Sequence, residues 1–527
     1  MNGGKAMATD NIKKPKHRKK WYYALRRQRI SIIVMLLLQF ALFGILLFSS
    51  SLASNYVSYA LQAISIIVSI IIITSETKTA YKMVWVFTIL IFPIFGGLFY
   101  VLFKWQTSER RVSKHFEKFR DSAKPLFKMG EDRLPLISEK APSQLPAVNY
   151  LQNAGGFPVY TNTKTTYFSL GEFWYRDMIT ELERAEKYIF LEYFIIEEGV
   201  FWDSVLEILT KKAAAGVDVR IIYDDIGCFL TLPKKYNKQL ETAGIKSCVF
   251  NKFLPVVSGL QNNRDHRKIT SIDGKVTYTG GCNIADEYIN QKQKHGHWKD
   301  CSIKLEGEAS WSLTLIFLQM WCACTSTQED YSKFYPYAEH NCEIECDGFI
   351  QPYADSPLDK TNIGENVYLG IIQNAKNYLY INTPYLIPDE NIMSALVLCA
   401  KSGVDVKIIT PEVWDKRFVH LTSRSYYREL IAAGVEIYEY SGGFNHSKTF
   451  LSDDIVATVG TTNLDYRSLY LHFECGVRLI DTSSIQNIKN DFLETLQKCK
   501  RITQNDCKTT LAVRIVQDVL RIFAPLM

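Results

Sequence analysis

Near its start the chain carries apolar residues in continuous runs rather than at periodic positions. No Asp, Glu, Lys or Arg lies between Arg29 and Glu76, and this run holds two stretches of bilayer length, roughly 31–49 and 57–75, parted by the polar SSSLASN. Such a pair predicts a membrane hairpin. A third uncharged stretch, Met83 to Phe103, is also long enough to span, although Pro93, Gly96 and Gly97 interrupt it and leave it to span, kink or re-enter. A signal peptide ending near Ser51-Leu52-Ala53 is the rival reading, but the run is long and a second span follows at once. The sequence then changes character: 104–150 is charged and later Pro-rich, as in a juxtamembrane linker, and beyond it helical and strand patterns alternate.

The alternation occurs twice. Phe173–Lys187 has helical periodicity and precedes the apolar YIFLEYFII; Val200–Ala215 is again helical and leads into GVDVRIIYDD, a short buried strand. The same order returns with Glu365–Lys376, YLYINTPYLI, Asn391–Ser402 and GVDVKIITPE, with Gly216 set against Gly403. ETAGIKSCVF corresponds to IAAGVEIYEY, and WKDCSIKL to HFECGVRLI. A unit this long is not a solenoid repeat; it predicts an α/β fold of two similar halves forming one catalytic unit. From Leu511 to Phe523 the pattern is amphipathic, with Leu511, Ile515, Val516, Val519, Leu520 and Phe523 on one face and Arg514, Gln517, Asp518 and Arg521 on the other. That suits either a membrane-surface helix or packing against the enzyme body.

The expected organisation is therefore a basic tail at 1–30, a membrane region at 31–103, a linker at 104–150, α/β halves at 151–330 and 331–507, and a C-terminal amphipathic helix at 508–527. Charge sharpens the first part of this scheme. The net charge of +6 over 527 residues is modest, but residues 1–30 hold ten Lys/Arg against the single acid Asp10. By the positive-inside rule the tail stays cytoplasmic, and the basic segment after Phe103 also favours the inside, which predicts a multi-pass cell-membrane protein whose catalytic region faces the cytoplasm. The twelve cysteines are scattered, many in apolar runs, and read as reduced thiols. No basic stripe with interleaved aromatics suggests nucleic acid.

Within the repeat lies the chemistry. HRKITSIDGKVTYTGGCN begins at His266 and HSKTFLSDDIVATVGTTN at His446; in both, Lys follows His by two residues, Asp by seven, Gly by fourteen and Asn by seventeen. The pattern predicts a strand carrying His and Lys on one face, a turn at the acid, and a second apolar strand ending in Gly-x-x-Asn. The candidate catalytic set is thus His266, Lys268, Asp273, His446, Lys448 and Asp453, of which Asp273 and Asp453, near turns, suit a structural role. Two such pairs facing each other make an anion pocket, with Lys268, Lys448, Asn283 and Asn463 to hold a phosphodiester while one His attacks phosphorus and the other protonates the leaving alcohol. The two imidazoles should titrate as a coupled pair, one neutral and one protonated. Asp300 and Glu474, equivalent in the repeat, could accept from the second ring nitrogen and fix the tautomer. The scheme needs no metal or other cofactor, since the lysines supply the charge. His295 and His297 read as solvated loop residues, and His472, beside Glu474, as a supporting residue.

The paired H-x-K-x4-D motifs, each followed by G-[GT]-x-N, resemble those of the phospholipase D superfamily, and GGCNIADEYI, GHWKDCSIKLEG, NTPYLIPDE, SYYRELIAAGVEIYEY and TTNLDYRSLYLHFE resemble its bacterial-type cardiolipin synthases. The resemblance extends from about Met83 to the C-terminus. It implies transfer of a phosphatidyl group from one phosphatidylglycerol to another through a phosphohistidine, with His266 as nucleophile and His446 as acid and then base, in a membrane of anionic lipid. Thr461 stands where Ser is frequent, Asn445 where an apolar residue is frequent and His472 where Asn is frequent, and these leave the acceptor open. A hydrolase or a transferase with a different alcohol acceptor is the alternative; a non-enzymatic scaffold would not need the duplicate His, Lys and Asn sets.

Overall fold

The computed structural model describes residues 52–75, 77–92, 97, 100, 108–127, 133–253, 259–337, 342, 344–345, 348–359 and 361–527. The chain forms two compact units, one of residues 1–106 with 253–259 and one of residues 107–252 with 260–527. The first unit contains helices Leu52–Thr74 and Thr79–Ile91, whose mutual contact buries Val68, Ile72 and Ile89. Ile64, Ile66, Ile67, Ile70, Ile71, Ile73 and Leu90 point outward. The second helix ends at Phe92, just before Pro93, which cannot continue it. The stretch 31–49 lies outside the described residues, and among the described residues no helix is long and apolar enough to cross a membrane.

The second unit is the α/β body, and its two halves repeat one topology. In the first half the strands are β1 (Thr163–Phe168), β2 (Tyr188–Tyr193), β3 (Asp218–Asp224), β4 (Lys246–Phe250), β5 (Lys268–Ile272), β6 (Val276–Gly280) and β7 (Ser302–Gly307), in the sheet order β1-β7-β6-β5-β2-β3-β4. The second half supplies β8 (Phe349–Asp355), β9 (Tyr378–Asn382), β10 (Asp405–Pro411), β11 (Glu436–Tyr440), β12 (Thr449–Ser452), β13 (Val456–Gly460), β14 (His472–Ile480) and β15 (Cys499–Ile502), ordered β8-β14-β13-β12-β9-β10-β11-β15. Strand for strand the two orders coincide, and β15 extends the second. In each sheet the strands joined through helices pair in parallel and the motif hairpins pair antiparallel, as the connection lengths require.

Burial follows the sequence patterns. Helices Gly171–Arg184 and Val200–Ala214 set Trp174, Phe201, Trp202 and Leu209 against Ile189, Leu191 and Ile221 of the first sheet. Helix Ser310–Thr325 is apolar on all sides and correspondingly buried on all sides, with Phe317 stacked on Phe190 of β2 at 4.7 Å. Residues 104–150 depart from the expected linker. Helix Ser108–Phe127 belongs to the catalytic body: Phe119, Ala123 and Phe127 are buried, the Trp311 indole donates to the Leu126 carbonyl at 3.0 Å, and a His115 ring nitrogen lies 2.8 Å from the Ala323 carbonyl. A narrow apolar stripe among many charges is enough to dock a helix on an existing core.

Each H-x-K-x4-D motif is a hairpin, β5 with β6 and β12 with β13. The turns need two successive left-handed residues, which Asp273 and Gly274 supply in one copy and Asp453 and Asp454 in the other. Both motif aspartates serve these turns. Asp273 accepts from the backbone N–H groups of Glu186, Lys187 and Tyr188 at 2.8–2.9 Å, and Asp453 from those of Lys376, Asn377 and Tyr378 at 2.7–2.9 Å. They tie each hairpin to the start of the antiparallel neighbour, β2 or β9, at the end away from the histidines, which is the structural role their place near turns suited.

Candidate active site

The motif histidines precede their strands instead of lying within them. Arg264–Asp265 forms a two-residue parallel ladder with His472–Phe473 of the other half, and the His266 N–H donates to the Phe473 carbonyl at 2.9 Å. Gly443–Asn445 pairs likewise with His297–Lys299, and the His446 N–H donates to the Lys299 carbonyl at 2.7 Å. Each short ladder therefore feeds one histidine from one half and one acid from the other into the same place.

The side chains cross in the same way. His266 Nδ1 lies 2.9 and 3.0 Å from the two oxygens of Glu474, and His446 Nδ1 lies 2.6 Å from Asp300 Oδ2. The repeat identified both acids and their equivalence, but not that each serves the histidine of the opposite half. With Nδ1 donating to a carboxylate, Nε2 is left to face a substrate, the tautomer that nucleophilic and acid–base work require. Neither half holds a complete His–acid pair of its own.

Both lysines are buried beside the histidine of their own motif. Lys268 Nζ donates to the His266 carbonyl at 2.6 Å, and Lys448 Nζ donates to the His446 carbonyl. Burial, with the Lys448 ammonium nearby, pushes Lys268 down to about 8, and burial pushes Lys448 in the same direction. Burial and the two lysines push His446 down to about 4 and His266 well below its ordinary value. Both imidazoles are thus driven toward the neutral form, against the expected pair of one neutral and one protonated. Burial raises Glu474, against which the Lys268 charge and the Thr461 hydroxyl pull.

Around these groups the two asparagines differ. The Asn283 oxygen accepts from the Ile195 N–H at 3.0 Å and its amide donates to the Tyr288 hydroxyl at 2.7 Å, so here it braces the wall. The Asn463 side-chain oxygen is buried without a hydrogen-bond partner among the described residues. Tyr288, Trp298 and Phe444 enclose His446, with ring centroids 5.8, 5.2 and 6.0 Å away, while Phe194 and His472 flank His266 at 5.1 and 5.4 Å. Sequence reasoning singled out His472 as a supporting residue but missed Tyr288, Trp298, Phe444 and Phe194. The one signal for them was the ring placed two residues before each acid, Trp298 and His472. His295 and His297 lie outside the paired set; His297 is partly exposed and faces Glu172 at 3.6 Å.

His266, His472 and Glu474 bring one potential ligand atom each within 4.8 Å of one another, and among the described residues they form the grouping with donors suited to a metal ion. A cation there would meet the Lys268 ammonium, whereas an anion would be drawn to it.

A family profile described as "Cardiolipin synthase, PLD-like domain" matches residues 178–298 and 368–496, which hold both motifs, and one described as "Phospholipase_D-nuclease N-terminal" matches residues 63–105. A cardiolipin synthase of Geobacillus kaustophilus is 35% identical over 475 residues, covering 88% of this chain and 92% of that protein. Cardiolipin synthase 2 of Bacillus cereus is 34% identical over 465 residues, covering 88% and 90%. An uncharacterized protein of Streptococcus mutans is 44% identical over 458 residues, covering 86% and 98%. In fold, the chain is similar to a phosphatidylserine synthase of Haemophilus influenzae, with a TM-score of 0.54 at 14% identity over 72% of this chain and 97% of that one. Two halves of the same topology, each supplying the acid for the other's histidine, and relatives aligned over nearly the full length place the chain in one family: it belongs to the bacterial-type cardiolipin synthases of the phospholipase D superfamily.

Proposed function

We propose that this chain makes cardiolipin from two molecules of phosphatidylglycerol and releases glycerol. The observation that carries the reading is the crossed pair of bonds, His266 to Glu474 and His446 to Asp300, in a pocket with two buried lysines. In the first step His266 Nε2 attacks phosphorus, the bond to the glycerol oxygen breaks, and His446 gives its Nε2 proton to that oxygen. In the second, His446 takes the proton from a hydroxyl of the incoming phosphatidylglycerol, the alkoxide attacks phosphorus, and the P–N bond breaks to return His266. One phosphodiester is exchanged for another, so no external energy source is needed.

The protonation states fit an enzyme that waits for its anion. The two buried ammonium groups disfavour further positive charge on both imidazoles. A bound phosphodiester supplies a negative charge that offsets the lysines, and His446 can then carry the proton it must donate. Asn463, with its unpaired carbonyl oxygen, and Asn283, once released from the wall, would turn their amides toward the phosphoryl oxygens.

The apolar region at 31–103 would hold this site at the bilayer as a multi-pass anchor, with the catalytic body on the cytoplasmic side. The outward isoleucines of helix Leu52–Thr74 support lipid contact. The deciding assay is purified full-length protein with labelled phosphatidylglycerol. Cardiolipin plus glycerol is expected, with activity retained in chelator; phosphatidic acid and glycerol without cardiolipin would assign the chain to hydrolysis instead.

A further inference from the structure

His472 and Trp298 occupy the same place in the two halves. Each lies two residues before the acid and opposite the residue two before the histidine, Trp298 against Phe444 and His472 against Arg264. Trp298 lines the wall, and its indole N–H is likewise buried without a hydrogen-bond partner among the described residues. His472 leaves both ring nitrogens so: it is 7% exposed, and neither nitrogen has a hydrogen-bond partner among the described residues, a costly arrangement unless a ligand completes it. The nearest carboxylate oxygen, Glu474 Oε1, lies 3.7 Å from Nδ1 and is already bonded to His266. Arg264, Lys268, Lys416 and Arg467 surround the ring with positive charge and, with burial, keep it neutral, so it offers one N–H in an anion-attracting setting.

We propose that His472 binds phosphate: its N–H donates to a non-bridging oxygen of the bound phosphodiester and then of the phosphatidyl group carried on His266. The assignment rests on the reaction proposed above. In an in-line displacement the entering and leaving groups take the two apices, which are the His266 and His446 ends. A ring beside His266 cannot reach the alcohol arriving opposite it, but it can reach the equatorial oxygens. His472 is therefore a holder of phosphoryl oxygen and not a third acid or base.

The test compares full-length wild type, His472→Ala and His472→Asn in detergent–phosphatidylglycerol micelles. Two quantities are read: inhibition by orthovanadate and the rate at which a phosphatidyl adduct forms on His266. His472→Ala should weaken vanadate inhibition and slow adduct formation by about tenfold or more, the worth of one hydrogen bond to an anion, with an unchanged melting midpoint. His472→Asn keeps a donor and should stay within about threefold of wild type. Wild-type-like values for His472→Ala, or equal losses in the two variants, would overturn the assignment. Phosphatidic acid in place of cardiolipin would overturn the choice of acceptor and leave both readouts of phosphate binding intact.

A separate observation concerns the C-terminal helix, Leu511–Ile522, which packs with its polar side inward. Arg521 lies over the Tyr426 ring at 4.2 Å and reaches Glu429 at 3.2 Å, and Gln517 donates to the Leu421 carbonyl at 3.4 Å. The outer face is apolar throughout, with Leu511, Ile515, Val516, Val519 and Ile522 all exposed. Exposed Trp414 and Phe418, with Lys416 and Arg417, lead into the helix it packs on, and Lys416 is close enough to His472 to influence it. We infer that this apolar, basic-rimmed face docks on an anionic phospholipid surface beside the mouth of the site. The double variant Ile515→Asp/Val519→Asp should lose about tenfold in rate on phosphatidylglycerol vesicles and almost nothing on short-chain lipid in detergent. Backbone amides of 511–522 in the wild type should gain hydrogen-exchange protection on those vesicles. Equal rates on vesicles, or protection that grows with protein concentration without lipid, would overturn the inference, the latter in favour of a second copy.

Discussion

His266 and His446 stand at equivalent ends of one pocket, on ladders of the same register, yet their surroundings are finished differently. At the His266 end Glu474 presents both oxygens to the ring and also accepts from Thr461, and the flanking ring is His472. At the His446 end Asp300 gives one oxygen to the ring and the other to its own Cys301 N–H; the place of Thr461 is taken by Gly281, and the flanking ring is Trp298. A Cβ on Gly281 would collide with the Asp300 carboxylate. One end is lined with polar groups that can hold charged phosphoryl oxygens, and the other is an aromatic cage around a single proton carrier. The two halves share their geometry, and the few residues that differ between them fit the proposed division of labour between nucleophile and acid–base.

The strongest challenge to this division is to remove each histidine. His266→Ala and His446→Ala should each lose at least about a thousandfold in turnover. Only His446→Ala should still accumulate a phosphatidyl adduct, detected by mass on His266; an adduct on His446 in the reciprocal variant would reverse the roles. Next in size are the orienting acids. Glu474→Gln and Asp300→Asn should each cost about a hundredfold or more, since each leaves the wrong tautomer favoured. Glu474→Gln should slow adduct formation, and Asp300→Asn should slow its transfer to the acceptor. Gly281→Ala should resemble Asp300→Asn, whereas Thr461→Val, losing one hydroxyl, should cost only about tenfold and Thr461→Ser almost nothing.

How far this was legible in the sequence depended on whether residues recur. The alternating helices and strands, both hairpins and the acids at 300 and 474 came from the repeat, because each half confirmed the spacing of the other. What the repeat could not carry was anything made between the halves. A strand order read from one copy does not say that His266 will be served by Glu474, and a two-residue ladder such as Arg264–Asp265 with His472–Phe473 has no periodicity to detect. Helix Ser108–Phe127 was missed because its buried stripe is outnumbered by charges. The imidazoles were expected to share a proton because charge was counted by residue; burial beside two ammonium groups, which spacing does not reveal, removes it.

Titration offers a gentler probe of the same pocket. Lys268 is buried and pushed from an ordinary 10.5 to about 8. Activity that depends on its charge should fall above about pH 8, read as a descending limb in kcat/KM that is absent from Lys268→Met. The sign for stability is opposite. Between pH 8 and 10.5 the unfolded chain binds more protons at this position, so stability rises with pH there, and at neutral pH the ionised lysine costs the fold about 3 kcal/mol. Lys268→Met should therefore be much slower, with a residual activity that lacks this limb, and yet melt higher. For His446, pushed down to about 4, the unfolded chain gains the proton first, so its share of stability is lost as pH falls from 6.5 to about 4.

The smallest effect on rate is expected at the motif aspartates, which the spacing put near turns and the fold holds at the far end of each hairpin. Asp273 and Asp453 each bond three backbone N–H groups at the far end of the hairpin. Asp273→Ala or Asp453→Ala leaves those donors to water or unpaired and should lower stability by about 1–3 kcal/mol, read as a lower melting midpoint. At a temperature where the variants stay folded, kcat should remain within about threefold of wild type and the pH profile should keep its limbs, because no proton-carrying group has moved. A thousandfold loss in a folded Asp273→Ala enzyme would mean that the turn sets the position of His266 through β5. Comparison with Asp453→Ala would then show whether the nucleophile's hairpin is held more tightly than that of the acid.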